Sequence, residues 1–398
     1  MDLIEVAADL HIHSRYSAAT SSSMDLPTLA KESQKKGVEL IGTGDCLHPK
    51  WLSEVKCLEE SDGIFTQGDA RFILTVEVED IKRVHHLLIL PSISKAEELH
   101  DLLARYSHNI DTDGRPRIDL DGEGIAEYAR DVAALIGPAH AFTPWTSLYA
   151  YHDSLKECYK DLTDYIFFIE LGLSADSDYA DRIGELRSLT FLTNSDAHSP
   201  WPVRLARELN RLKIECFSFQ EVEKAIKNEG GRRPTLNVGM PPEEGKYNET
   251  ACSKCYKHQP LKGALEADFK CSCGGRIVKG VRDRVSELSM GGETLHPDGR
   301  PPYLHLIPLA EIIAMALGLT PGARTVEKNW NSLVSKFGAE ATVLVDAPTS
   351  DMNVDKRIAE SIRAFRDDEV IVRPGGGGKY GTIELPAGET SQRSLFDF

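Results

Sequence analysis

The chain has 398 residues, 41% of them hydrophobic and 27% charged; it is an ordinary globular sequence, long enough for two or three domains. Its formal net charge of −16 argues against a generic nucleic-acid binder, no apolar run approaches the roughly 18 residues of a membrane span, and the N-terminus carries no leader pattern. A cytoplasmic, nucleoid-associated protein with no membrane contact is expected. The acid is uneven, since residues 1–249 hold 27 Lys and Arg against 43 Asp and Glu, whereas residues 250–398 hold 19 of each.

A short apolar segment, residues 3–8, runs into Asp9-Leu10-His11-Ile12-His13. On a strand alternate side chains share a face, so Asp9, His11 and His13 emerge together while Leu10 and Ile12 pack inward. Two imidazoles and a carboxylate on one side of a strand make half of a metal site, although an isolated H-x-H pair also suits core or solvent-facing histidines. Strand and helix signals then alternate to residue 236. Asp25 caps a helix with Leu26, Leu29 and Ala30 on one face and Gly37 as its stop, and residues 38–43 read as a buried strand. Further strands are predicted at 72–78, 86–90, 134–139, 165–171, 189–193 and 212–217, with helices at 95–105, 124–133, 178–186 and 219–228. This alternation predicts an α/β fold, a parallel sheet with crossover helices closed into a barrel.

Almost every predicted strand ends in a possible metal ligand: Asp9, His11 and His13, then Asp45 and His48, Glu77, His140, Glu170, and Asp196 with His198, while His86 opens its strand. In such barrels the carboxyl ends of the strands form the active face, so these groups converge. Imidazole and carboxylate donors in this number exceed what one tetrahedral ion can use, which predicts a cluster of two or three divalent ions (Zn, Mn or Mg). Bound cations would also invert the local field of an acidic surface and admit a phosphoester.

Residues 237–251, with Gly239, Pro241, Pro242 and Gly245, read as a linker. Cys252-Ser-Lys-Cys255 and Cys271-Ser-Cys273 follow, two close pairs that predict one structural zinc in a ribbon, with His258 as an alternative to a strained cysteine. Between Lys254 and Arg284 eight basic residues face three acidic ones, a basic island suited to a nucleic-acid backbone or to a solvated face. Residues 304–317, helical after Pro308, and 355–366 predict a small, mainly helical C-terminal domain. The run Gly375–Gly378 before Lys379 lacks the Ser or Thr of a phosphate loop and suits close backbone approach or a flexible turn. Gln392, Leu395, Phe396 and Phe398 at the C-terminus resemble the box by which repair enzymes dock on the sliding clamp.

The motifs Asp9-Leu-His-Ile-His13, Thr43-Gly-Asp45, Glu77, His86-Leu87, His140 and Ser195-Asp-Ala-His198 resemble the polymerase and histidinol phosphatase (PHP) phosphoesterase family. That resemblance implies a distorted seven-stranded β/α barrel with three metals over 1–236. Two departures are visible: Arg15–Ala19 offers no further ligand after the H-x-H, and Thr-Gly-Asp with His48 stands where Thr-Asp-His is usual. The order of barrel (1–236), linker and ribbon (237–285), helical domain (286–386) and tail (387–398) resembles the archaeal endonuclease Q family. This implies a repair endonuclease, with damaged DNA and a sliding clamp as partners, that cuts 5′ of uracil, hypoxanthine, xanthine and abasic sites. His11, His13, Asp196 and His198 would carry the chemistry. Tyr16, Trp145, Gly172 and Ser174, in loops after ligand-bearing strands, are candidates for the base pocket. A small-molecule phosphatase and a non-catalytic clamp-associated DNA-binding factor are the alternatives.

Overall fold

The N-terminal apolar run forms the strand Ile4–Asp9 at the middle of a ten-stranded sheet in the computed structural model, which describes residues 2–386. On one side it pairs in parallel with Leu40–Gly42, and that strand in parallel with Ala70–Glu79. On the other it runs antiparallel to Leu209–Ile214, which is antiparallel to Arg233–Gly239. Ala70–Glu79 also carries two antiparallel neighbours, Ile64–Gln67 and His85–Leu90, and the latter pairs antiparallel with Leu135–Pro138. Phe168–Glu170 and Thr190–Leu192 form a separate parallel pair.

The fold is thus mixed α/β, and the all-parallel sheet predicted from the strand and helix alternation is corrected. The cause lies in the connections. Only a tight turn joins Ala70–Glu79 to His85–Leu90, with Asp80 Oδ1 accepting from the backbone of Lys82 and Val84; a turn that short permits antiparallel pairing alone. The opening residues of His85–Leu90 therefore arrive at the same edge as the closing residues of Ala70–Glu79, and a histidine at a strand's start reaches the active face.

The helix Leu26–Lys36 forms as its sequence predicts. Asp25 accepts from Thr28 N, and Gly37 closes the helix at φ 79°, a left-handed conformation that glycine adopts without strain. Helices Leu309–Leu317, Arg324–Phe337 and Lys356–Arg366 pack on this side. Lys36 Nζ, buried, donates to Glu340 at 2.6 Å and to the carbonyl of Pro202 at 2.7 Å. The strand Arg233–Gly239 runs through position 236, and Tyr303–His305 adds to it in parallel, so the sheet continues into the C-terminal half. The glycine run serves close packing: a Cβ on Gly377 would stand 2.4 Å from the carbonyl oxygen of Cys252. Among the described residues no helix is long and apolar enough to cross a membrane. The clamp-box residues Gln392, Leu395, Phe396 and Phe398 lie outside the described residues.

Where the turn Pro242–Glu244 meets the helix Leu309–Leu317, neither carboxylate oxygen of buried Glu244 has a hydrogen-bond partner among the described residues. Burial, reinforced by Glu311, pushes its carboxyl up to about 8. A group raised in the folded state stabilises fully below its unfolded value near 4.5 and loses that contribution as pH climbs through 8. The Glu244→Gln variant should therefore escape roughly 2–3 kcal/mol of the stability loss between pH 6 and 9. Parallel pH series of urea melts that coincide for parent and variant would refute this.

Candidate metal centre

Strand register decides which predicted ligands meet. Glu79 pairs with His85 and Val78 with His86, so on strands of period two His85 shares the face of Glu77 while His86 turns to the other side. Glu77 is the hub: its Oε1 stands 2.7 Å from His85 Nδ1 and 2.8 Å from His140 Nε2, and its Oε2 3.3 Å from both His13 Nε2 and Arg115 Nη1. His13 Nε2 is also 3.1 Å from Asp196 Oδ1, and the His198 ring lies 4.4 Å from that of His13. Three overlapping groups result, His11–His13–Glu77, His13–Asp196–His198 and Glu77–His85–His140, each with donor atoms within 4.8 Å of one another.

Divalent cations fit this donor set. The Nε2 atom of His11 is buried without a hydrogen-bond partner among the described residues, and the carboxylates around it demand positive charge. Burial alone would push His11 and His13 down, yet Glu170 and Glu77 against the first, and Asp196, Asp45 and Glu77 against the second, draw both well above the ordinary imidazole range. Burial would likewise raise Asp196, but His13 and His11 hold it well below the usual carboxylate range. The backbone is strained in the same place, with positive φ at Asp45 (52°), His140 (29°) and Asp196 (47°); such non-glycine conformations cost about 1–3 kcal/mol each and persist where the surroundings fix them.

The other predicted ligands take different positions. Glu170 stands 2.9 Å from His11 Nδ1 and spends its oxygens on His140 N and Asn194 Nδ2. Asp45 faces His13 Nδ1 at 3.1 Å and accepts from Ser14 N and Oγ at 2.6 Å. Both orient imidazoles from behind, which fixes the tautomer that offers Nε2. Asp9 is absorbed by Ser195 N, Ser195 Oγ and Ala206 N. His48 precedes the helix Pro49–Val55 and stacks on Tyr16 at 4.5 Å, away from the cluster. His86 sits on the far face of its strand beside Asp80 and Tyr159. Asp9, His48 and His86 are thus not brought into the cluster, whereas His85 and Arg115, which the sequence reading missed, are.

Of the base-pocket candidates, Gly172 lies against the cluster, since a Cβ there would fall 2.6 Å from His140 Cβ, and Ser174 is half-buried two residues on. Tyr16 donates to Glu54 at 2.7 Å. Trp145, 43% exposed, packs on Tyr247 at 4.7 Å. Thr143 Oγ1 lies 3.4 Å from His140 Nδ1, and Thr143 also lines a groove of about 1520 Å³ with Trp145, Tyr151, Lys270, Arg276 and Lys279.

Across that groove Cys252, Cys255, Cys271 and Cys273 converge, with Sγ atoms 3.5 Å apart for Cys252 and Cys273 and 3.8 Å for Cys255 and Cys271. Four thiolates about 2.3 Å from a tetrahedral zinc stand roughly 3.8 Å apart. Backbone N–H groups of Cys255 and Lys254 pull the Cys252 thiol down to about 6, which favours the thiolate there, whereas at Cys273 the Gly275 N–H is outweighed by the neighbouring Cys255 and Cys252 sulfurs, which push that thiol up. His258 turns to Glu249 at 2.6 Å instead.

Residues 308–369 match the model of the MJ0043 C-terminal domain family. Protein MJ0043 of Methanocaldococcus jannaschii is 45% identical over 253 residues, which are 62% of this chain and 31% of that protein; the chain spans about a third of this relative. The lesion-specific endonuclease PfuEndoQ from Pyrococcus furiosus superposes with a TM-score of 0.93 at 49% identity, covering 96% of both chains. An endonuclease Q structure in complex with a 27-mer duplex carrying an abasic lesion at the active site superposes at 0.90 with 49% identity, covering 96% of this chain and 97% of that one. With such identity over nearly its whole length, the chain belongs to the endonuclease Q family.

Proposed function

We propose that this protein is a metal-dependent DNA endonuclease that cuts the phosphodiester 5′ of deaminated bases and abasic sites. The observation that carries the reading is the sharing of Glu77 and His13 among three adjoining ligand groups, an arrangement suited to two or three divalent ions held side by side. His11, His13, Glu77, His85, His140, Asp196 and His198 would hold them. Bound there, such ions supply activation of the attacking water and neutralise charge on the phosphate.

The chain's own residues do the rest. Glu170 and Asp45 lock the Nδ1 sides of His11 and His13, so their Nε2 atoms face the reacting centre. His198 Nδ1 lies 3.0 Å from the carbonyl oxygen of Asp196; with the Nδ1 proton donated there, Nε2 is left to ligate or to accept a proton. Arg115 spends one donor on Glu77 and is one-third exposed. Its remaining N–H groups suit a non-bridging phosphate oxygen as negative charge develops.

The cysteine cluster reads as a structural zinc ribbon and the groove beside it as the track for the duplex. Lys254, Lys257, Lys262 and Arg276 have no carboxylate partner among the described residues, whereas Lys270, Lys279, Arg282 and Arg284 are paired with acids; the first four are the cations available to phosphates. Uracil and hypoxanthine carry a carbonyl acceptor, O4 and O6, where cytosine and adenine have an amino donor, and xanthine presents the same O6 acceptor, so one N–H donor in a pocket accepts all three once the base is flipped out. Duplexes bearing a single uracil, hypoxanthine or abasic site, end-labelled and incubated with Mn, Mg or Zn, should be cut on the 5′ side of the lesion while undamaged duplex stays intact. Hydrolysis of a small phosphomonoester without duplex cleavage, or cation-independent binding without cleavage, would overturn the proposal.

A further inference from the structure

His86 is turned away from the catalytic cluster. It meets Asp80 and Cys158, and the donor atoms of all three lie within 4.8 Å of one another. The three residues are 0–1% exposed, and among the described residues neither His86 Nε2 nor Asp80 Oδ2 has a hydrogen-bond partner. Two buried polar atoms left in this way are a cost to the fold unless something else satisfies them. A plain Asp–His pair would close to hydrogen-bonding geometry, yet these atoms stand at 3.4 Å. Ligands about 2.0–2.1 Å from a tetrahedral ion are separated by roughly 3.3–3.4 Å.

From this geometry we propose a further structural metal site, apart from the catalytic cluster and the cysteine cluster, for a borderline ion such as Zn²⁺, ligated by Asp80 Oδ2, His86 Nε2 and Cys158 Sγ. The surroundings are built for it. Asp80 Oδ1 is committed to Lys82 N at 2.8 Å and Val84 N at 2.7 Å, which leaves Oδ2 as the free oxygen. His86 Nδ1 meets the Tyr159 hydroxyl at 2.8 Å, the bond at the other ring nitrogen that metal-ligating histidines make. Gly122 keeps the space open: a Cβ there would stand 2.5 Å from Cys158 Sγ and 3.2 Å from His86 Cε1. Burial pushes the Cys158 thiol up, so the thiolate forms only with the cation, and loading releases its proton to solvent. The ion would tie the turn after Ala70–Glu79 and the strand His85–Leu90 to the short helix Leu155–Tyr159. One residue from His86, it would brace His85 on the catalytic face. The site is independent of what the catalytic cluster cuts.

Elemental analysis of the zinc-grown full chain should show Cys158→Ser and His86→Gln each losing one zinc per chain relative to the parent. Cadmium NMR of the reconstituted parent needs no variant: it should give a signal from a site with one sulfur ligand, separate from the four-sulfur signal and from signals of sites with nitrogen and oxygen ligands alone. Unchanged zinc content in both variants, or a cadmium spectrum without the one-sulfur signal, would overturn the proposal.

Discussion

Glu77→Gln should lower single-turnover cleavage of a lesion-bearing duplex by at least ~10³-fold, about 4 kcal/mol of barrier, with an unchanged far-ultraviolet circular dichroism spectrum. Among the described residues Glu77 is the one carboxylate common to the His11–His13 and His85–His140 groups. An amide keeps its shape but removes the charge and turns an N–H₂ toward imidazoles that need an acceptor, so two adjoining sites lose a ligand at once. Asp45→Asn gives the graded control. Asp45 touches the cluster only through His13 Nδ1, and losing a partner that merely orients a ligand costs on the order of 10–100-fold. Cleavage by the Glu77 variant within tenfold of the parent, with Mn or Mg saturating, would remove the hub assignment.

The strand and helix alternation made most elements legible, because apolar runs and caps act locally: Asp25 and Gly37 bound their helix as written. The ligand types were also legible, since Asp, Glu and His at strand ends stand out against apolar neighbours. Which ones point at the ions was not. Adjacent His85 and His86 differ only in the face they take, and that is set by pairing with Ala70–Glu79, a register fixed by the turn at Asp80. Asp9, Asp45 and Glu170 look like ligands until their partners are known; Ser195, Ser14 and Asn194 then account for their oxygens. Arg115 comes from a loop pinned by Gly114 N to the carbonyl of Tyr16, a long-range contact without a local signal. The four cysteines carried their own geometry, because thiolates in close pairs admit few other uses.

Cys252→Ser should release one zinc and unfold the segment from 251 to 278 while the main sheet stays intact. The buried apolar core of this module is Cys252, Ala264, Cys271 and Ile277, with Phe269 partly buried against it. So small a core cannot offset the ordering of the segment, since each fixed residue costs about 1–2 kcal/mol of backbone entropy whereas a buried aliphatic side chain returns about 1.5–3. On the proposed zinc site, metal binding would supply the difference, and where folding and metal binding are coupled, losing a ligand loses both. Two short strands, Ala251–Cys252 and Ile277–Val278, would come apart with it, and Lys254, Lys257, Lys262 and Arg276 would lose their fixed places, Arg276 on the groove lining itself. Limited proteolysis should then cut the variant within 251–278 under conditions that leave the parent whole. Anisotropy titrations with a lesion duplex should show binding roughly tenfold weaker and a shallower dependence on salt, because fewer phosphates are neutralised. A variant that keeps its zinc, resists the protease and binds with the parent's salt slope would show that the cysteines neither hold a metal nor order the basic surface.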